Sequence, residues 1–591
     1  MKQSLLLLCF LLFSIGHAIG QAEVTVTFRV DLNGIKTDGP VGIRGNLPPL
    51  AWDRTYPLQD PDGDRVYEGV VTVPGVSPES VLEYKFVYGD KQLSWELASG
   101  PNRLLVLNSD QIETPLARWN VATPIEVATL PKVSAEDLLA DFRIAKKALL
   151  TLHPGLYRYR SEEEIDELFA LFEEKMNRPL SYREAYLLYS EMLAQIRCGH
   201  TYANFWNQSG LIQEVVFNQT DKLPLTFRIV EGRMIVTHNL SGQQELESMP
   251  EIVAINGVPA AEILRNLQRY VKADGSNDAK RLADLNLYGL GPFESFDIYF
   301  PLRYPPVDGR YELDIESAEG RGAQLAVPAI TRAERARRLQ AQHSDLPTTA
   351  DDLWKLEFWD DGAAYLQLGT FVVFDLSFEW KDFLDDAFAQ IRKRKSPKLV
   401  LDLRGNEGGQ DEILLYLAKM LAKGPVSVVP RQDYVRYEQV SADLRPYLST
   451  WADDAYDLRG KVKKEANGLY RLEEDGEIQV KPSSKAYQGK VYLLVDAANS
   501  SATFYFAELA QRNALATLVG QPTGGSQKGM NGGVMFFVRL PHSRIEFDIP
   551  LIGAFSPELP DEGIRPDVEV FETVESLRAG VDPVLEKVRG R

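Results

Sequence analysis

Two buried-strand runs, each followed by a loop of small residues and then a helix, constrain this chain more than any other feature. The first is LVLDLRGNEGGQDEILLYLAKML, Leu399 to Leu421. The second is VYLLVDAANSSATFYFAELA, Val491 to Ala510. Unbroken apolar runs of this kind suit strands covered on both faces. Further strands are predicted at 364–369 and 515–519, and helices at 378–392, 412–421 and about 503–512. Strand and helix alternating in this way predict a layered α/β core with crossover connections. The stretch 430–485, rich in Tyr, Asp and Lys, reads as an excursion from that core.

Both junctions offer chemistry. Gly405, Gly408 and Gly409 free backbone N–H groups at a helix N-terminus, where negative charge is stabilised. A phosphate cradle would need Gly-Lys-Ser/Thr or Gly-x-Gly-x-x-Gly, and neither occurs. At the second junction, Asn499, Ser500 and Ser501 stand between strand and helix. A serine there is exposed at a strand end, with helix-terminal amides beside it for a substrate oxyanion. Taken alone, this junction reads better as Asn499 and Ser500 capping the helix.

Composition removes several classes. The 591 residues hold two cysteines, Cys9 and Cys198, and six histidines. A disulfide framework is excluded. With no His-Glu-x-x-His and no Cys-x-x-Cys, a zinc hydrolase is not expected, and no cofactor is implied. Lys+Arg total 65 against Asp+Glu 84, a net charge of -19, which argues against nucleic acid as a partner. Lys2, the apolar run Leu5–Ile15, and Ala18 and Gly20 read as a signal peptide over 1–20, with cleavage before Gln21. The run is shorter than the roughly 20 residues a membrane span needs. No later stretch reaches that length, so the expectation is an exported protein, periplasmic or extracellular, without a membrane span.

Residues 21–118 are all-β in character, with alternation at Val24–Val30 and runs at Val66–Val73 and Val81–Tyr88, and read as a small β-sandwich. GNLPPLAW (Gly45–Trp52), YKF (Tyr84–Phe86), SWE (Ser94–Glu96) and GPNR (Gly100–Arg103) together resemble a starch-binding-type carbohydrate-binding module. The resemblance implies an α-glucan site at Trp52, Lys85 and Trp95, with indoles stacking on sugar rings. A spacer or docking role is the other reading.

Residues 119–215 turn helical. Ser134 opens one helix, and Ser161/Glu164 and Ser181/Glu184 are capping boxes for two more. The third runs to about Ile196 and leads into RCGHTYANF, which carries His200. Residues 216–330 are β-rich, with turn signals at Glu231-Gly232 and Asn256-Gly257 and a helix expected over 260–270. EIVAINGVPAAEIL resembles the second half of a PDZ-like domain, a fold that captures peptide C-termini. The matching stretch, Asp221–Phe227, lacks a carboxylate-loop glycine, which leaves a positioning domain as the second reading.

DLRGNEGG, then NSSATFYFAELAQRNALATLVGQPTGG, then GIRPDVEV at Gly563–Val570, resemble the C-terminal-processing, or tail-specific, serine peptidase family. The likeness extends over roughly Glu136–Val570 and leaves out the N-terminal β region. It implies a crotonase-like spiral of βα units across 331–591 and serine-type hydrolysis of peptide substrates. Ser501 takes the nucleophile position, with oxyanion donors from Ala502 and from Gly408 or Gly409. Phe504 stands where the family usually has Glu.

The family offers two bases. In the Ser/Lys branch a lysine follows PT-x-G; here Ser526 follows Pro522–Gly525, and Lys528 comes two places late. In the tricorn-like branch a histidine in the helical region acts, and CGHTY at Cys198–Tyr202 resembles its motif. The serine that accompanies that histidine is missing, and the supporting acid falls on Glu562 or Glu558. The reading is His200 as base with Lys528 as the alternative; His153, His238, His343 and His542 have no motif behind them. The rival is an inactive peptidase-fold protein that binds glucan or docks to a partner outside the cytoplasm.

Overall fold

The computed structural model describes residues 22–590, apart from 33, 38, 77–79, 91, 99–101, 122–126, 128–129, 428–431 and 473–478. The expected signal peptide, and the start of the GPNR motif, lie outside the described residues. The chain divides into two units, Met1–Pro131 and Lys132–Arg591.

In the first unit, strand Ala22–Asp31 pairs antiparallel with Val66–Val76 and parallel with Gln111–Glu113 and Ala117–Arg118. A second sheet centres on Ser80–Tyr88, flanked by Val41–Gly45, Ser94–Trp95 and Arg103–Leu107. Val24, Val26, Phe28 and Val30 are all buried, which is the period of two that a one-sided strand requires. They share one core with Tyr84 and Phe86 of the second sheet. Arg103 and Glu96 are buried together at 2.8 Å, and Glu96 also accepts the Phe86 amide, so neither charge is left uncompensated.

The second unit opens with α1 (Ala135–Leu152), α2 (Glu162–Met176) and α3 (Tyr182–Ala194). Ser134 caps α1, and full capping boxes close at Ser161/Glu164 and Ser181/Glu184. Next comes a sheet of Leu225–Val230, Arg233–Asn239, Glu251–Ile255, Arg310–Glu316 and Gly322–Pro328, in that order. Glu231/Gly232 and Asn256/Gly257 both take positive φ, as two-residue hairpin turns demand. The helix there is Ala260–Leu267, shorter than expected. Edge strand Leu225–Val230 is not open: Phe227 and Leu287 exchange backbone hydrogen bonds at 3.0 and 3.1 Å.

The central sheet runs β1 (Trp354–Phe358), β2 (Ala364–Leu368), β3 (Lys398–Asp402), β4 (Lys490–Val495), β5 (Thr517–Gly520) and β6 (Val568–Glu569), in spatial order. Only β1 is antiparallel to its neighbour. Leu366, Leu401, Leu493 and Leu518 align across four strands. They are buried in one cluster with residues of α4 (Trp380–Arg394), α5 (Asp411–Leu421) and α6 (Ser501–Arg512). On the other face Val400, Leu494 and Val519 meet Val584 and Val588 from the C-terminal helix Pro583–Arg589. Each such buried aliphatic side chain is worth about 1.5–3 kcal/mol. The segment read as an excursion is drawn into a second sheet. Its short strands Gln432–Val435, Leu448–Ser449, Val462–Lys464 and Tyr470–Leu472 extend the hairpin Asn531–Arg539/Glu546–Phe555.

Candidate active site

β3 and β4 lie side by side, so the loops that leave their C-terminal ends touch. Two buried asparagines staple them. Asn406 donates from Nδ2 to the Leu368 carbonyl at 2.8 Å and accepts the Gly408 amide at 2.8 Å. Asn499 donates from Nδ2 to the Leu403 and Asn406 carbonyls and accepts the Asp496 amide at 2.8 Å. Thr503 Oγ1 adds a bond to the Asn406 carbonyl at 2.8 Å. Ser500 does not cap α6 through its side chain; its hydroxyl donates to the Glu407 carbonyl at 3.1 Å.

Ser501 is the first residue of α6 and sits at φ +53, a left-handed conformation uncommon outside glycine. Strain of this kind, at a sharp strand-to-helix turn, is characteristic of an exposed nucleophile. Gly408 faces it so closely that a β-carbon there would stand 2.7 Å from Ser501 Cβ and 2.9 Å from the Ala502 nitrogen. Because the Gly408 amide is given to Asn406, its contribution is space rather than a free N–H. Gly409, at φ +138, has Phe371 against its α-carbon. Among the described residues, neither the Gly409 amide nor the Ala502 amide has an acceptor. These two remain available to a developing oxyanion.

His200 arrives from the other direction. After α3 the chain turns through Arg197 at φ +63. Gly199 donates to buried Asp274 at 3.0 Å, and a β-carbon on Gly199 would meet Asp274 Oδ2 at 2.6 Å. Thr201 is hydrogen-bonded to the buried His153 ring at 2.9 Å, and the Tyr202 carbonyl accepts the Asp548 amide at 3.1 Å. The loop is thus held from three sides. His200 and Ser501 line one cavity of about 650 Å³, together with Gly408, Gly409, Lys272 and Glu407. His200 Nδ1 is buried without a hydrogen-bond partner.

Charge in the cavity is arranged around the histidine. Burial and then the Lys272 cation bring the His200 pKa down to about 4, while Glu407 pulls it upward. The ring is therefore neutral at neutral pH, the form that accepts a proton. Burial opposes ionisation of Glu407, but Lys280 and Lys272 outweigh it and lower its pKa to about 2. Glu407 lies 3.2 Å from Lys280 Nζ and 4.0 Å from Lys272 Nζ. Lys280 also bonds Asp284 at 2.5 Å.

The other residues singled out from sequence lie elsewhere. Lys528 does not line the cavity; its amine stands 6.0 Å from the centre of the Tyr159 ring. Glu562 pairs with Arg565 at 3.4 Å, and Glu558 is exposed. Neither reaches the cavity wall, whose carboxylates are Asp274, Glu407 and Asp411. Phe504 is wholly buried in the core. In the first unit, Trp52, Lys85 and Trp95 do come together around one recess with Asn102; the indoles are 6.4 Å apart and inclined by 35°. Glu407 sits inside the motif that drew attention to this loop, yet its role becomes visible only when residues 272 and 280 are brought beside it.

Residues 362–570, which take in β2 to β6, match the model of peptidase family S41. That part of the core is similar to peptidase S41 domains. By class the protein is a serine-type peptidase, a hydrolase whose substrates are peptides or proteins. No curated protein matches the chain. Among solved structures, mature CPAF complexed with lactacystin is 13% identical over 77% of this chain and 97% of its own, with a TM-score of 0.53. A CPAF mutant is 13% identical over 75% of this chain and 94% of its own, with a TM-score of 0.52. The photosystem II D1 C-terminal processing protease aligns at 15% identity over 73% of this chain and 93% of its own, at a TM-score of 0.35. The CPAF matches indicate a common fold. Among the described residues no helix is long and apolar enough to cross a membrane.

Proposed function

We propose that this chain hydrolyses peptide bonds through Ser501, with His200 as general base. The observation that carries the reading is the placement of Ser501 at φ +53 on the tip of α6, in one cavity with a neutral His200. His200 takes the hydroxyl proton as Ser501 attacks the scissile carbonyl, and returns it to the leaving amine. The Gly409 and Ala502 amides receive the tetrahedral oxyanion. Glu407 holds the field at the imidazole, a part the sequence had offered to Glu562 or Glu558. Lys528 is the weaker base because its amine rests on Tyr159, outside the cavity. The tail-specific assignment, with a crotonase-like core and a PDZ-like positioning domain, is part of the same reading. The occupied edge at Phe227 favours positioning over capture of a peptide end. The protein is exported, on the strength of residues 1–20.

A fluorophosphonate probe tests the nucleophile. Wild type should label, and Ser501→Ala should neither label nor cleave an unfolded protein substrate while keeping its circular dichroism spectrum. Labelling that persists, or that maps to Ser500, overturns the assignment. His200→Ala should bring turnover to background and Lys528→Ala should keep most of it; the reverse pattern places the protein in the Ser/Lys branch.

A second reading concerns the first unit. The recess formed by Trp52, Lys85 and Trp95 favours a β-sandwich of the starch-binding type that holds an α-glucan. Should the peptidase arm fail, this recess supports the rival, a glucan-binding protein on an inactive scaffold.

A further inference from the structure

A second cavity, of about 670 Å³, opens beside the one that holds Ser501 and His200. Lys272, Leu353, Gly405 and Glu407 belong to the walls of both, so the two adjoin along a shared rim. Their linings differ. The wall around Ser501 is built largely of glycines and charged side chains, with Leu353, Val372 and Met535 as its larger apolar groups and no Phe, Tyr or Trp ring. The second cavity carries aromatic and aliphatic groups left open to solvent: Trp206 is 61% exposed, Tyr288 46%, Leu290 37% and Phe571 54%. Apolar residues scattered singly over a surface need no explanation, but several gathered along one concavity mark a binding site.

The wall is also pre-set. Trp206 stands edge-on to Phe293 with ring centres 5.0 Å apart, and the Arg332 guanidinium lies 5.0 Å from the centre of the same Phe293 ring. Glu294 accepts the amides of Tyr288 at 2.8 Å and Gly289 at 2.9 Å, which fixes the loop that presents Tyr288 and Leu290. A ligand entering here meets side chains already ordered, so little conformational entropy is lost on binding.

We propose that this cleft holds the substrate peptide on one side of the scissile bond and selects an aromatic or large aliphatic side chain there. The proposal rests on the reading of Ser501 as nucleophile. Adjacency to that cavity names the occupant: a chain extended from the scissile bond crosses the shared rim where Lys272 and Glu407 pair and lays its next side chains against Trp206 and Leu290. A volume of this order falls within the range of ordinary ligand sites.

The test uses the full chain and short fluorogenic peptides in which Phe, Leu or Ala occupies each position in turn on either side of the cleaved bond. At one position, kcat/KM for Phe or Leu should exceed that for Ala by about ten-fold or more, as expected of an apolar pocket. In Trp206→Ala and Leu290→Ala that ratio should collapse toward one; both side chains are exposed enough to be shortened without unfolding the protein. A second arm measures the same labelled peptides binding to Ser501→Ala by fluorescence anisotropy, with and without Trp206→Ala. Should wild type cleave nothing, weaker binding of the Phe peptide on loss of Trp206 still supports the cleft and places the failure in the nucleophile. Equal kcat/KM for Phe, Leu and Ala at every position, an unaltered preference in both variants, or peptide binding indifferent to Trp206 overturns the proposal.

Discussion

A β-carbon added to Gly408 would stand 2.7 Å from Ser501 Cβ. No flexible side-chain end can yield there, because the Ser500 carbonyl lies at 2.8 Å on the same side. Gly408 also takes φ +103, where any other residue is strained. Gly408→Ala should therefore move Ser501, the proposed nucleophile, and a displacement of about 1 Å costs roughly a hundred-fold in rate. The measurement is kcat beside a melting curve. A variant that folds and turns over like wild type would show that the loop relaxes freely.

The asparagine staples predict a stability effect set apart from catalysis. Asn499→Asp replaces two donated hydrogens with a carboxylate facing the Leu403 and Asn406 carbonyls. A buried polar group so mismatched costs about 1–3 kcal/mol or more. Ser500→Ala removes one partly exposed bond and should cost about 0.5–1.5 kcal/mol at most. Urea midpoints compare the two, and equal midpoints would deny Asn499 its structural part.

The pH profile follows from the charges around His200. An imidazole whose pKa lies near 4 stays neutral through mildly acidic solution, so activity should persist below pH 6 and fall as pH approaches about 4. A cation beside the ring disfavours imidazolium, so Lys272→Met should move the acid limb upward. A carboxylate favours imidazolium, so Glu407→Gln should move it further down. The midpoint of log(kcat/KM) against pH reads both shifts. Movement of the two limbs in the same direction would dissociate these residues from His200.

The proposed glucan site is tested at its paired indoles. Trp52→Ala and Trp95→Ala in the full chain should each weaken maltooligosaccharide binding by about 1 kcal/mol or more, measured by calorimetry. Heats that are absent in wild type as well would leave the unit a spacer.

Much of the second unit could be read from residue order alone. The runs Leu399–Leu403 and Val491–Val495 became β3 and β4 because strands covered on both faces have no need of polar alternation. The capping boxes at Ser161 and Ser181 are local in sequence and local in space. What escaped was long-range. The short strands between 432 and 472 carry too few residues to show a period, and they owe their form to the hairpin they extend. Gly408 or Gly409 was expected to supply an amide, and only Asn406 reveals that the Gly408 amide is spent. Lys272, Lys280 and Asp274 sit in a stretch without motif; they reach the site because the chain from 271 to 284 folds back against the two loops.

His200 hangs from a loop fastened to Asp274 and Asp548, while Ser501 belongs to the sheet, with roughly three hundred positions of chain between them. No local segment of this protein is a catalyst in miniature. During synthesis the histidine loop emerges long before the serine, and Asp548, which steadies that loop, emerges later still. On the proposed assignment a growing or unfolded chain holds no assembled site, and hydrolytic capacity arrives only with the finished unit.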